Sequence, residues 1–253
     1  MSIALKTLVA QADALLQPER FADYCPNGLQ VEGKPAVARL ITGVTASQAL
    51  IEAAIAAQAD AILVHHGYFW KGESPCITGM KRQRLGLLLQ HNISLLAYHL
   101  PLDAHPEVGN NAQLAQRLGI VMTGGLQPDS STPIGNVGFL TEPLSADALA
   151  THIAMQLGRA PLLVRGGAHE IRRIAWCTGG AQSYIEQAAA LGVDAFISGE
   201  ISEPTVHCAR ELGIHFFAAG HHATEKYGAP ALGEYLAREL GIAHQFIDID
   251  NPA

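Results

Sequence analysis

The sequence has few charged residues, few aromatic residues and no excess of positive charge. Charged residues make up 15% and aromatic residues 6% of its 253 residues, and 16 Lys and Arg stand against 23 Asp and Glu. A chain that is 49% hydrophobic and carries so little charge can bury a large core, and its composition excludes a disordered protein. The net charge of −7 disfavours general nucleic-acid binding, which usually needs a basic face.

Cysteines and long apolar runs are scarce as well. The four cysteines form no C-x-x-C pair, so we interpret them as buried or incidental thiols in a reducing compartment. No apolar run approaches the ~20 residues of a membrane helix. The first residues also lack the basic and apolar regions of a signal peptide. We therefore expect a cytoplasmic protein that has no membrane partner.

Strand-like and helix-like segments alternate along most of the chain. Residues 38–44, 60–64 and 93–98 have the apolar, β-branched character of strands, whereas 45–59 and 80–91 are typical of helices. Parallel strands need a crossover helix between them. The alternation therefore predicts an α/β fold with mainly parallel strands.

The second half of the chain repeats the first at a shift of 134 residues. Identical residues align at five positions: Gln48 with Gln182, Glu52 with Glu186, Ala54 with Ala188, Asp60 with Asp194, and Ala61 with Ala195. Any two β-turn-α-β units share some likeness, but this agreement favours an internal duplication into two related lobes. The polar segment 127–133 is the best boundary candidate, so we predict one lobe over 1–127 and a second over 128–253.

Many of the 12 histidines follow predicted strands, together with acidic residues. The three groups are His65 and His66; His99 and Asp103; and His221, His222 and Glu225. In open α/β sheets, ligand crevices form at the carboxyl ends of strands. Imidazole and carboxylate groups suit divalent zinc, iron, manganese, cobalt or nickel. The groups therefore predict a metal site at this edge of the fold.

The number of candidate ligands favours two metal ions. A catalytic zinc uses three protein ligands, whereas two ions that share a carboxylate and a water use more. Taken singly, each group has an ordinary explanation as a packed histidine, a turn residue or a solvated carboxylate. Two His-His pairs at corresponding strand ends favour metal binding, although the pattern does not say which histidine of each pair is a ligand.

Six short motifs, taken together, resemble a known family. They are D-Y-C-P-N-G-L-Q-V-E-G (23–33), G-V-T-A-S (43–47), V-H-H-G-Y-F-W-K-G (64–72), H-L-P-L-D-A-H (99–105), F-I-S-G-E (196–200) and G-H-H-A-T-E (220–225). Over about residues 15–253 the chain resembles the dinuclear-metal family known as GTP cyclohydrolase I type 2. That family includes the NGG-interacting-factor-three-like proteins, and the likeness is greatest to its bacterial YbgI-type members.

The resemblance implies duplicated, intertwined three-layer α/β lobes, a ring-shaped homohexamer, and two divalent metal ions per subunit (iron, zinc, manganese or nickel). It assigns five metal ligands, with Glu225 bridging: His65, His66, Asp103, His221 and Glu225. His99 and His222 are candidate catalytic residues that could carry protons, orient a ligand, contact substrate or be purely structural. Many distant relatives carry H-H-P and H-T-N-L-D where this chain has H-H-G and H-L-P-L-D, so contacts around the ligands could differ.

The reaction that the resemblance implies is hydrolysis of GTP to formate and dihydroneopterin triphosphate by metal-bound hydroxide. The residues themselves say little about GTP, because there is no Walker A motif. The turn Thr178-Gly179-Gly180 could bind a phosphate or simply connect a strand to a helix. Lys71, Lys81, Arg82 and Arg84 could bind an anion or form a solvated helix face. Phe69 and Trp70 could stack on a base or pack in the core.

Three hypotheses for function therefore stay open. The first is a hydrolase of the cyclohydrolase type, acting on GTP or another small-molecule nucleotide. The second is another metal-dependent nucleotide or phosphoester hydrolase, since two-metal sites are common in such enzymes. The third is a non-enzymatic protein that stores or delivers metal, or acts as a scaffold.

Overall fold

A computed structural model describes all 253 residues and shows an alternation of strands and helices. The strands are β1 (Ile3–Ala4), β2 (Gly28–Val31), β3 (Ala36–Val37), β4 (Arg39–Thr45), β5 (Ala61–His66), β6 (Ser94–Ala97), β7 (Ile120–Gly125), β8 (Asn136–Leu144), β9 (Leu162–Val164), β10 (Ile171–Cys177), β11 (Ala195–Ser198), β12 (His215–Ala218) and β13 (Ala243–Phe246). The helices are α1 (Leu5–Leu16), α2 (Gln48–Ala56), α3 (Gly79–Gln90), α4 (Leu100–Ala104), α5 (Asn110–Leu118), α6 (Ala146–Leu157), α7 (Ile185–Ala190), α8 (Glu203–Glu211), α9 (His221–Glu225) and α10 (Gly228–Leu240). Short 3₁₀ turns cover Pro18–Arg20 and Gln182–Tyr184.

The chain divides into two compact units whose limits differ from the predicted boundary at 127/128. Unit 1 comprises Met1–Gly109 and Gly228–Asp250, and unit 2 comprises Asn110–Tyr227 and Asn251–Ala253. The polar segment 127–133 connects β7 to β8, and because these strands pair antiparallel, it lies inside unit 2. The chain later returns to unit 1, because β13 pairs in parallel with β4. The two units therefore interleave along the sequence.

Unit 1 is built on a five-stranded sheet in the order β13-β4-β5-β6-β2. Its strands are parallel except for β2, which runs antiparallel to β6. Alternate strand residues bury opposite faces. Leu40 and Leu63 pack with helices α1 and α10, whereas Ile41 and Ile62 pack with α2 and α3. Unit 1 is therefore a three-layer α/β sandwich, as predicted.

Unit 2 is built on a six-stranded sheet in the order β7-β8-β10-β11-β12-β9. Strands β10, β11 and β12 are parallel, and the flanking strands β8 and β9 are antiparallel to their neighbours. Trp176 and Phe217 pack against α5 and α6 on one face, and Phe196 and Phe216 pack against α7 and α8 on the other. Unit 2 therefore has the same three layers as unit 1.

The strand register supports the internal duplication. In unit 1, Leu40 pairs with Ala61. In unit 2, Ile174 pairs with Ala195, so both partners are displaced by the same 134 residues. Since the side-chain period of a strand is two residues, a common register gives both units the same alternation of buried faces.

Helix starts follow local capping chemistry. Ser145 accepts a hydrogen bond from the Ala148 amide at 3.2 Å and caps α6. Thr45 has a side chain that can cap a helix, but it is the last residue of β4. Ser47 caps α2 instead and accepts from the Leu50 amide. None of the helices combines the length and apolar character that crossing a bilayer requires.

Candidate metal centre

Unit 1 brings four of the predicted site residues together at the carboxyl ends of β5 and β6. His65 and His66 are the last two residues of β5, His99 directly precedes α4, and Asp103 lies within α4. The ring centroids of His65, His66 and His99 are separated by 4.4, 5.1 and 5.8 Å. One ring nitrogen from each lies within 4.8 Å of the others. Three imidazoles therefore converge on one place.

His65 is held in the orientation of a metal ligand. Its buried ring uses Nδ1 to donate a hydrogen bond to the carbonyl oxygen of Tyr98, at 3.0 Å. Because a carbonyl can only accept, the hydrogen is on Nδ1. Nε2 lies 3.5 Å from Oδ1 of Asp103, whose side chain is buried. A proton or a cation is needed where a ring nitrogen faces a carboxylate in this way, so the pair fits a metal ion.

His66 is half-buried at the end of the same strand. Its Nδ1 shares a hydrogen bond of 3.2 Å with the hydroxyl of Thr45, the residue opposite it on β4. The Trp70 ring lies 6.0 Å from the His66 ring. Hydrogen bonding at Nδ1 leaves Nε2 as the nitrogen directed away from Thr45, which again suits a ligand.

His99 is held by Asp23, a residue that sequence reasoning missed. The Nδ1 atom of His99 lies 2.7 Å from Oδ1 of Asp23. Burial alone raises the pKa of Asp23, but hydrogen bonds from His99 and Asn27 outweigh it and hold that pKa below its usual value. Trp70 meets the His99 ring edge-on at 5.0 Å. The D-Y-C-P-N-G motif thus has a chemical role, because its aspartate holds the His99 ring.

Cys25 lies near Asp23 and His99, and its thiol is protonated at neutral pH in the metal-free protein. Burial, together with the negative charge of Asp23, raises the pKa of the Cys25 thiol to about 12. The thiolate is the form of cysteine that binds metal. The candidate ligands that the sequence predicts in unit 1 offer nitrogen and oxygen atoms.

Unit 2 brings together His221 and Glu225, at the two ends of α9. Nε2 of His221 lies 3.0 Å from Oε2 of Glu225, whose side chain is buried, and Nδ1 lies 2.7 Å from Oε1 of Glu200. The hydrogen bond to Glu225, more than the bond to Glu200, raises the pKa of His221 to about 9. Glu200 belongs to the F-I-S-G-E motif, to which the sequence gave no chemical role beyond its part in the family resemblance.

The turn at Thr178-Gly179-Gly180 packs closely against the carboxylate of Glu225. Gly179 has φ +67°, and a Cβ atom there would lie 2.0 Å from Oε1 of Glu225 and 3.1 Å from Nε2 of His221. The Thr178 amide donates to Asn111, and the Gly179 amide donates to Thr224, both at 3.1 Å. Because these amides already have partners, the strand-to-helix interpretation of this turn fits better than a phosphate site.

His222 is placed differently from His221. It is buried in the first turn of α9, and its backbone amide donates to the carbonyl of Ala253 at 3.2 Å. His221 and Glu225 share one helix face because they are four residues apart, whereas His222 is turned about 100° around the axis. This position favours the structural interpretation of His222 among those that the sequence left open.

Lys81, one of the basic residues considered as an anion site, has a partner of its own. Nζ of Lys81 lies 3.2 Å from Oε1 of Glu73 and 5.1 Å from the centre of the Phe69 ring. Phe69 is 38% exposed and has φ +65°, which is uncommon for a residue other than glycine. An anion would have to compete with Glu73 for Lys81.

A common pattern thus joins the histidines of both units. In His65, His66, His99 and His221, Nδ1 is bonded to an oxygen atom. Metal-binding histidines nearly always use their second nitrogen in this way, which fixes the ring and its tautomer.

A family model described as Duf34/NIF3 (NGG1p interacting factor 3) matches residues 3–252. The chain belongs to this family. The match confirms the resemblance drawn from the motifs.

Two curated relatives of this Duf34/NIF3 protein share one name. A protein of Pseudomonas aeruginosa called "GTP cyclohydrolase 1 type 2 homolog" is 62% identical over 253 residues and covers 100% of both chains. A protein of Vibrio cholerae with the same name is 56% identical and covers 97% of this chain and 98% of its own. The similarity therefore extends over the whole length of the chain.

Solved structures share the fold. The structure described as "Structural genomics, protein ybgI, unknown function" is 53% identical, covers 99% of this chain and 100% of its own, and has a TM-score of 0.95. A protein of Thermus thermophilus called TTHA1606 is 32% identical with a TM-score of 0.86, over 99% of this chain and 100% of its own. The Duf34/NIF3 fold is thus confirmed from both sequence and structure.

Proposed function

We propose that this Duf34/NIF3 protein is a metal-dependent hydrolase that binds two divalent ions, of iron, zinc, manganese or nickel. The residues that would hold the ions are His65, His66 and Asp103 of unit 1 and His221 and Glu225 of unit 2. One observation, repeated in each unit, carries the proposal. A buried carboxylate faces Nε2 of a histidine whose Nδ1 is bonded to oxygen, in His65 with Asp103 and in His221 with Glu225.

The donor set fits such ions. Imidazole nitrogen and carboxylate oxygen are ligands that these divalent metals share. When bound, the ions would supply an activated water at neutral pH. The protein's own residues would hold the donors in place: Tyr98, Thr45 and Glu200 orient the histidines. His99 could hold a proton at the same edge.

The name of the curated relatives makes GTP the first substrate to test. In that reaction water adds to C8 of guanine, the imidazole ring opens, and formate leaves with formation of dihydroneopterin triphosphate. The amides of Thr178 and Gly179, however, already have partners, and Lys81 is paired with Glu73. These contacts favour a second candidate, hydrolysis of another nucleotide or a phosphoester that carries less charge than a triphosphate.

The decisive experiment combines metal content with turnover. The full chain is stripped of metal, reloaded in turn with zinc, iron, manganese or nickel, and incubated with GTP, and the products are identified by mass. We expect about two ions per chain and, with at least one metal, formate and a pterin product. The Glu225→Gln variant should lose metal binding and GTP turnover. The Glu234→Gln variant, at an exposed position, should retain metal binding and GTP turnover.

The outcomes separate the hypotheses. Two bound ions without GTP turnover would move the search to other nucleotides and phosphoesters, and then to metal storage or delivery. Failure to bind metal in the wild type would overturn the proposal as a whole. The ring-shaped homohexamer and the cytoplasmic location expected from the sequence stay predictions, and the mass of the purified protein in solution tests the first of them.

A further inference from the structure

The carboxylate of Asp23 accepts an unusually complete set of hydrogen bonds. Its donors are the Tyr24 amide at 2.6 Å, Nδ1 of His99 at 2.7 Å, Nδ2 of Asn27 at 2.9 Å and the Leu100 amide at 3.0 Å. An ionised carboxylate offers about four acceptor sites. All of these acceptor sites are therefore occupied. Every donor belongs to one of two segments, 23–27 or 99–100.

These bonds decide which nitrogen of His99 carries the hydrogen. An ionised carboxylate can only accept, so Nδ1 of His99 must be the protonated nitrogen. The backbone amide of His99 also donates to Oδ1 of Asn27, at 2.7 Å. Segment 23–27 thus accepts hydrogen bonds from both the ring and the backbone of His99. Because Nδ1 is bonded to Asp23, Nε2 is the ring nitrogen left for a partner at the edge shared with His65 and His66, whose rings lie 5.1 and 5.8 Å from the His99 ring.

We propose that Asp23 and Asn27 are positioning residues that fix His99 as the Nδ1–H tautomer and present its Nε2 to the His65 and His66 imidazoles. In this form Nε2 can accept a hydrogen bond from a water or a substrate group at that edge. The use of His99 in a reaction rests on the proposed hydrolase function, whereas the positioning does not. Asp23 itself need not touch substrate.

An asparagine at position 23 cannot reproduce this arrangement. Its single amide oxygen offers about two acceptor sites for four donors, and its NH₂ group would face the remaining N–H groups. The tautomer preference of His99 should therefore weaken in Asp23→Asn, although the side chain keeps its size. Asp60 offers a matched control, because its carboxylate also accepts two backbone amides but lies at the amino ends of the strands.

The test is an NMR measurement on the full chain with ¹⁵N-labelled histidine, prepared without metal. The His99 signals are assigned by their loss in His99→Gln. In the wild type and in Asp60→Asn we expect a protonated Nδ1 and an unprotonated Nε2. In Asp23→Asn we expect a shift toward the Nε2–H form. The wild-type spectrum is decisive even if Asp23→Asn fails to fold.

Two results would overturn the proposal: a wild-type His99 protonated mainly on Nε2, or an unchanged tautomer in a folded Asp23→Asn protein. Neither depends on turnover, so failure here is distinguishable from failure of the hydrolase proposal. If hydrolysis is found, Asp23→Asn should lower kcat about 10- to 100-fold while metal content and KM stay near wild type. A merely structural role would instead lower metal content and activity together.

Discussion

Asp60 and Asp194 occupy equivalent positions in the two units. Each carboxylate accepts hydrogen bonds from two consecutive backbone amides at the start of the neighbouring strand: Ala38 and Arg39 for Asp60, at 2.9 and 3.1 Å, and Arg172 and Arg173 for Asp194, at 2.9 and 2.7 Å. Each backbone carbonyl also accepts from the first residue of the third parallel strand, at 3.0 Å. One aspartate thus joins three strands in each unit, at the ends opposite the candidate metal ligands.

Replacing either aspartate should destabilise the protein. Hydrogen bonds to charged groups contribute about 1.5–3 kcal/mol each, and an amide side chain can retain only part of them. We expect Asp60→Asn and Asp194→Asn to lower the free energy of unfolding by about 1–3 kcal/mol, measured by urea denaturation. Asp129→Asn, in an exposed segment, serves as the control. If both variants were as stable as the control, the predicted contribution of these carboxylates to stability would be wrong.

The contribution of Asp60 should depend on pH. Burial raises its pKa, but hydrogen bonds from the Ala38 amide and from Lys34 outweigh burial and hold the pKa below its usual value. A folded-state pKa below that of the unfolded chain, about 3.9, gives stability that is present above that pH and lost below it. The stability gap between wild type and Asp60→Asn should therefore be constant above about pH 5 and shrink as the pH falls through about 4. A gap unchanged down to about pH 3 would be the contrary result.

The sequence was sufficient to predict the parallel core of each unit and the edge that carries the histidines. Both depend on local signals, namely apolar strands and the residues that follow them. Strand β13 gave no such signal, because it has only four residues and alternate ones are exposed. Strand β13 pairs with β4 because the chain returns to unit 1 after unit 2. No local sequence pattern predicts that return.

The residues that orient the histidines were missed for a similar reason. Asp23 lies 76 positions from His99, and Glu200 lies 21 positions from His221. Their partners are brought near only by the tertiary fold. Thr45 illustrates local competition instead: it pairs with His66 in the sheet, so Ser47 becomes the helix cap. Residue type alone could not decide between the two.

Metal binding should stabilise the folded protein. A ligand that binds only the native state adds about 2.7 kcal/mol when its concentration is about 100 times its Kd. We therefore expect Zn²⁺ or Mn²⁺ to raise the Tm of the metal-free wild type and EDTA to reverse the rise. Glu225→Gln keeps the side-chain size but removes a charged donor, so its Tm should barely respond. An equal metal-induced rise in this variant would exclude Glu225 as a ligand.

Gly179 offers a way to disturb the candidate centre without removing a donor. A Cβ atom there would lie 2.0 Å from Oε1 of Glu225, so in Gly179→Ala the carboxylate must move away from its place beside His221. We expect metal affinity, measured by competition with a chelator, to fall at least about 10-fold. The positive φ of Gly179 adds a conformational cost of about 1–2 kcal/mol.

Two further glycines separate these effects. Gly192 also has a positive φ, +66°, but a Cβ atom there would meet only Nη1 of Arg173, at 3.6 Å. Gly192→Ala should therefore destabilise the protein about as much as Gly179→Ala and leave metal affinity unchanged. Gly180→Ala adds a methyl group beside Glu200 at 3.4 Å, so we expect only a small loss of affinity. If all three variants bound metal as wild type does, the Glu225 carboxylate would not be a ligand held by this turn.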